Sequence, residues 1–304
     1  TIADGSDYFE AKTYTGNGGG NGATQTITGL EMSPDFVWLK SRGNTRAHHL
    51  FDTVRGAGKI IKSNSSEVES TSTAELTAFT SDGWTLGDGY QTNFNNEAYV
   101  GWAWDAGSST STNTDGSIYS SVRANQTAGF SIVSYTGDGS TTTWGHGLSA
   151  APKLIIFKRR NNANNWFVLA DVGLHSGFSI FEGLNNQNAA GDYSSNASAS
   201  STIVTLPNTT DWNASGGTYI AYCFTPVAGF SAMGVYESNN SSDGPFIHTG
   251  FRPAFILFKA SASNQPWIIH DSARNGYNKT DPYLMPSETS AELSDNGIDI
   301  LSNG

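Results

Sequence analysis

The chain has 304 residues, of which 37% are hydrophobic and 14% charged, with 34 glycines and a net charge of −11. Its polarity comes from Ser, Thr, Asn and Gly, which disfavours long helices and suits short strands joined by many turns. The acidic balance argues against a nucleic-acid partner, which needs a basic face, and no run of 18 apolar residues is present to insert as a membrane helix.

From the N-terminus, residues 8–14 (YFEAKTY) alternate and end at the Asn17-Gly18 turn, the period of a half-buried strand. Pro34 cannot sit mid-sheet and marks the start of a strand over 36–40. Residues 50–52 begin another short strand. Residues 79–87 read as strand, Asp82-Gly83 turn, strand, and 99–104 (YVGWAW) as a closing strand. Small polar residues from 106 to 116 read as a linker. The order then returns with strands at 130–135, 166–171 and 219–224, and a short join at 225–229. A third round opens at Phe230, has its middle strand at 267–271, and reaches residues 300–304, which align with 79–83.

The repetition is explicit. Tyr14-Thr15-Gly16-Asn17-Gly18, then Gly29-Leu30, then Pro34 to Lys40 return as Tyr135-Thr136-Gly137-Asp138-Gly139, Gly147-Leu148, and Pro152 to Lys158. A looser copy runs from Tyr236 through Gly250-Phe251 to Pro253 and Lys259. Each Pro stands 6 residues before its Lys, and the copies step by 118 and then 101 residues. Solenoids and propeller blades repeat every ~20–50 residues, so this period is that of a small domain. The expected fold is all-β, with three tandem β-sandwich or jelly-roll modules of lectin-like character: residues 1–107, 129–227 and 228–304, with a linker at 108–128. The third module is expected to lack its final strands and so to present an unpaired sheet edge. The short second join predicts close packing of modules two and three, with the first swinging more freely.

Candidate chemistry is sparse. Asp52 with Arg55, and Asp271 with Arg274, follow Lys40 and Lys259 by the same 12 residues to the Asp. We expect structural ion pairs that pin the turn after the strand, in preference to a ligand-binding carboxylate and guanidinium. The second copy keeps Asp171 but carries Leu174 at the Arg position, which argues against one shared catalytic role. Asn-Gly and Asp-Gly supply the positive φ of tight turns. Calcium is the alternative ligand there, through Asp138 or the Asp4 and Asp7 pair, although no calcium-loop spacing is present.

His48, His49, His146, His175, His248 and His270 show no zinc spacing. No Gly-x-Ser-x-Gly elbow introduces a nucleophile, so no enzyme is expected. Cys223, the only cysteine, reads as a buried free thiol. Trp144 and Trp212 lie in polar, turn-like settings. They are the candidate glycan-binding residues, because a sugar face stacks on such a ring while neighbouring polar groups take the hydroxyls. The competing reading folds each Trp back over its own loop.

Gly-His-Gly-Leu (145–148), residues 151–160 (APKLIIFKRR), 218–224 (TYIAYCF), 250–255 (GFRPAF) and 271–275 (DSARN) together resemble a domain family of virion-associated proteins of tailed phages, marine ones in particular. The resemblance covers nearly the whole chain. It implies a tail-fibre, head-fibre or capsid-decoration protein on the virion surface, homo-oligomeric and partnered by other virion subunits. Such a protein would contact host-surface polysaccharide through repeated weak sites. The family brings no catalytic residue. A purely architectural role is the alternative, favoured if Trp144 and Trp212 are covered. A third reading, a polysaccharide depolymerase, needs two carboxylates about 5–10 Å apart in a cleft.

Overall fold

A computed structural model of the chain describes residues 2–175, 177–186, 190–191, 197–261, 263–276, 278–295 and 297–304. The protein is all-β. Its strands pair antiparallel, and among the described residues the single helical element is the four-residue α1 (Thr210–Asn213).

The first copy contributes β1 (Phe9–Thr15), β2 (Gln25–Ile27), β3 (Phe36–Ser41), β4 (His49–Asp52), β5 (Lys59–Ile60), β6 (Ser70–Thr71), β7 (Leu76–Thr80), β8 (Gly83–Leu86) and β9 (Ala98–Trp104). The second adds β10 (Ser111–Asn113), β11 (Ser120–Asn125), β12 (Phe130–Thr136), β13 (Thr142–Gly145), β14 (Leu154–Arg159), β15 (Trp166–His175), β16 (Gly177–Glu182), β17 (Ala190–Gly191), β18 (Ser198–Ala199), β19 (Ile203–Leu206) and β20 (Thr218–Phe224). The third adds β21 (Phe255–Phe258) and β22 (Ile268–Asp271).

Copies one and two use the same pairing scheme. The closing strand sits between the opening strand and the Pro-to-Lys strand, giving β1-β9-β3-β4 in one copy and β12-β20-β14-β15 within an eight-stranded sheet in the other. Trp38 lies opposite Trp102, and Ile156 opposite Tyr222. A smaller three-stranded sheet faces each large one, β2-β8-β7 in the first copy and β13-β19-β18 in the second. Period-two alternation makes the strands two-sided. Val37, Leu39 and Ala103 face inward to Trp84 and Leu86 of the small sheet. Gly101 is required there, because a Cβ would stand 2.7 Å from Trp84 and 2.8 Å from Leu39.

The opposite faces of the same strands meet a core that belongs to all three copies. Leu50, Val168 and Ile269 occupy one register position in β4, β15 and β22, opposite Trp38, Ile156 and Leu257. All three are buried in one cluster with Phe36, Trp102, Phe130, Tyr222 and Trp267. The first copy therefore does not swing freely. It touches both others, because its large sheet has two apolar faces and only one is covered by its own small sheet.

The segment 108–128 is not a linker either. It holds β10 and β11, which extend the eight-stranded sheet. Small inward residues make this possible. Val122 is buried against Tyr135 and Trp144, and Ser120 donates to the Gly145 carbonyl at 2.7 Å. Arg123 then ties the segment to Asp35 of the first copy at 2.7 Å.

Candidate functional site

The two Asp-x-x-Arg motifs are built alike. Arg55 Nε donates to Asp52 Oδ2 at 2.5 Å and its N–H to Oδ1 at 2.8 Å, while its Nη2 reaches the Leu50 carbonyl at 2.9 Å. Arg274 repeats this on Asp271 at 2.6 and 2.9 Å and on the Ile269 carbonyl at 3.0 Å. Both pairs are fully buried.

Each motif receives a group from another copy. Tyr222 of the second copy donates its hydroxyl to Asp52 Oδ2 at 2.8 Å. Trp102 of the first copy donates Nε1 to Asp271 Oδ2 at 2.9 Å. Tyr222 and Trp102 are the same position in β20 and β9. Outside each motif lies a second equivalent pair. Arg160 of the second copy grips Glu69 at 2.8 and 2.9 Å, and Arg42 of the first grips Glu292 at 2.9 Å through both nitrogens. The N–H groups of Glu69 and Glu292 return bonds to the Arg160 and Arg42 carbonyls. Arg55 and Arg274 also reach these carboxylates, at 3.3 and 3.1 Å.

Burial opposes charge on Arg55, but Asp52, Tyr222 and Glu69 outweigh it and raise the guanidinium above its ordinary value. Burial likewise opposes the Glu69 carboxylate, and Arg160 and Arg55 together bring it below the usual range. Both oxygens of Asp52 and of Asp271 are occupied. These carboxylates therefore join one copy to the next, and their complete burial keeps them from a ligand.

The second copy departs from its expected pattern. Phe36, Leu154 and Phe255 lie opposite Asp52, Ala170 and Asp271. Ala170, not Asp171, thus holds the motif's first position. Asp171 is one residue on, with its N–H on the Lys153 carbonyl just as Thr53 bonds Asp35 and Ser272 bonds Ala254. Its carboxylate takes Lys153 at the surface, at 2.5 Å. The seam where the third copy meets the second is accordingly apolar. Ala170, Val172 and Leu174 face the shared core, and a direct polar tie runs from Trp267 Nε1 to the Gly183 carbonyl at 3.1 Å. Trp166 makes the matching bond from the second copy to the Lys62 carbonyl of the first, at 2.8 Å.

Trp144 and Trp212 are not glycan platforms. They are 1% and 5% exposed. Trp144 pairs opposite Val204 in the small sheet and stacks on Tyr135 at 5.1 Å. Trp212 packs its edge on Phe157 and Phe167. Turn-like neighbours surround both, but the strand and the helical turn aim the rings inward.

Among the described residues no group of three or more His, Cys, Asp or Glu comes together to hold a metal ion. Asp138 caps Ser140 and binds Asn213, and Asp4 caps Ser6. Burial pushes the Cys223 thiol up to about 12, far from thiolate reactivity. Lys40 and Lys158 are buried and pulled down to about 8, first by burial. Among the described residues both donate to main-chain carbonyls, at 2.7–3.3 Å.

Tyr119, 73% exposed, stands at a shallow groove of about 460 Å³ lined also by Thr112, Ser120, Ser121, Ser134 and Thr136. Nothing in the polar stretch around Tyr119 distinguished it in the sequence from a linker residue. Glu69, Glu292, Arg42 and Arg160 were equally silent, because each gains meaning only from a partner 91 or 250 residues away.

The chain belongs to a family described as a domain of unknown function (DUF7483), whose model matches residues 4–304. No curated protein and no solved structure matches it.

Proposed function

We propose that this domain is an architectural surface protein of a tailed-phage particle, with other virion subunits as its partners. The observation that carries the reading is the use to which the repeated side chains are put. The conspicuous polar motifs, Asp52 with Arg55 and Asp271 with Arg274, are buried and bonded to neighbouring copies. The two tryptophans suited to stacking are in the core. Repetition here builds one larger body around a common centre, and the motif resemblance to virion proteins supplies the setting. The role is non-catalytic.

Immunogold labelling of intact particles with an antibody against residues 1–304 tests this. Regular label over the head or along an appendage is the expected result. Absence of label from every particle would overturn the assignment.

A second reading keeps host-surface polysaccharide as a ligand, at a different place from Trp144 and Trp212. It rests on the exposed Tyr119 ring beside Ser and Thr hydroxyls, the pairing of a stacking face with hydrogen-bond partners that sugars require. A glycan array probed with the native chain and with Tyr119→Ala decides it. Binding lost in the variant supports a site there, and binding by neither removes the ligand.

A further inference from the structure

We infer that the third copy carries an acceptor groove for one additional β-strand, and that the strand has the aromatic alternation of β9 and β20. In copies one and two the Pro-to-Lys strand has a neighbour on each side, β4 and β9 for β3, β15 and β20 for β14. Among the described residues, β21 pairs with β22 alone. Its four residues are only partly buried, whereas β3 is buried throughout.

The opening strand reports the same gap from the other side. β1 and β12 each pair with the closing strand of their copy. The corresponding stretch of the third copy, before Tyr236, forms no strand, and Tyr236 is 51% exposed, where its counterpart Tyr135 is 3% exposed. One inserted strand would pair with both.

The two complete copies specify the occupant. Tyr99 and Tyr219 stack on Tyr14 and Tyr135 at 5.1 and 5.0 Å, so the second residue of the incoming heptad is Tyr, to cover Tyr236. The third is aliphatic, as Val100 and Ile220 are opposite Lys40 and Lys158, and here faces Lys259. The seventh is aromatic, as Trp104 and Phe224 are, opposite Phe255. The fifth position differs. Trp102 and Tyr222 there donate to the Asp of a neighbouring copy, but the equivalent neighbour of the third copy presents Ala170. A donor at this position would be buried without a partner, which is costly, so the occupant carries an apolar ring.

The gap is continuous with the shared core, on which Phe255 and Leu257 already pack. A second copy of the chain is not the occupant, because its two strands of this pattern are both central in their own sheets. The mode is strand addition, with main-chain bonds giving affinity and alternate side chains giving register.

The test uses the 304-residue chain and fluorescein-labelled peptides that copy residues 218–224 with Cys223→Ala, flanked by lysines. One retains Tyr at the fifth position, one has Phe there, and a third is scrambled. Saturable binding is expected, about tenfold tighter for Phe than for Tyr, together with slowed amide exchange at both 255–259 and 230–236. No saturable binding, equal binding of the scrambled peptide, or protection confined to other segments would overturn the proposal. Tyr binding as tightly as Phe would overturn the placement of the fifth residue against Ala170. Sedimentation showing dimers that no peptide dissolves would assign the edge to a second copy and overturn the strand donor.

Discussion

Where the second copy meets the first, a tyrosine hydroxyl, a buried Asp–Arg pair and a second Glu–Arg pair stack in sequence. The seam between first and third copies repeats the arrangement with Trp102 in place of Tyr222. Where the third copy meets the second, Ala170 takes the place of the Asp, Val172 and Leu174 face the same core, and the indole bond of Trp267 to the Gly183 carbonyl ties the two copies. Identical backbone register thus supports two chemistries. Buried ion pairs carry a heavy desolvation cost and fix geometry, while apolar packing is cheaper and less particular about angle. The charged seams specify which copy sits beside which, and the apolar seam closes what they have already positioned.

Removing one partner from a charged seam should have the largest effect. Asp52→Ala leaves Arg55 and the Tyr222 hydroxyl buried without their acceptor, and urea unfolding should show a loss of about 3–5 kcal/mol. Asp271→Ala should match it, whereas a loss under about 1 kcal/mol in either would mean the pairs do not hold the seams. The double change Asp52→Leu with Arg55→Met makes the first seam resemble the third. It should be clearly less harmful than Asp52→Ala alone, since apolar replacement of both partners avoids the orphaned charge.

The indole bonds test the other seam. Trp267→Phe removes the donor to Gly183, and Trp166→Phe the donor to Lys62; each should cost roughly 1 kcal/mol by the same assay. Smallest of all, Asp171→Ala breaks only the partly exposed pair with Lys153 and should stay within about 1 kcal/mol of the native chain.

Acid should lower the stability of the fold as a whole. His48, His49, His146 and His270 are buried and held below the ordinary imidazole value, in each case first by burial. Below the ordinary value the unfolded chain binds protons that the folded chain refuses, so their contribution is complete above it and declines as pH falls. Asp35 acts oppositely. Burial pushes it up to about 6, so its contribution is full at low pH and lost as pH rises through that value. Four groups outweigh one, and Tm should drop between about pH 7 and about pH 5. An unchanged or rising Tm would contradict the buried, neutral state of these rings.

The sequence made the strands legible because their alternation and their Gly and Pro punctuation are local. Pro34 and Asp82-Gly83 fall where β3 begins and where β7 turns into β8. The Asp–Arg pairs were legible for the same reason, being three residues apart. What each pair does was not, since Tyr222 lies 170 residues from Asp52. Acidic identity drew Asp171 into Asp52's place, and only the ladder beside Leu154 shows the one-residue slip. Trp144 misled through its polar neighbours, because inward or outward orientation is set by pairing with Val204 and not by the flanking residues. The polar stretch that holds β10 and β11 failed as a linker because Ser and Thr serve an edge strand as well as they serve a coil.

The long spans between seam partners also bear on synthesis. At about 5–20 residues per second on the ribosome, the 170 residues separating Asp52 from Tyr222 correspond to roughly ten to thirty seconds. During that interval the emerging first copy holds an ion pair whose hydroxyl has not yet been made. It exposes the apolar face of β3 and β9, which invites holdase chaperones and, when crowded, aggregation. Slow translation through residues 220–270 should therefore lower soluble yield more than slowing elsewhere.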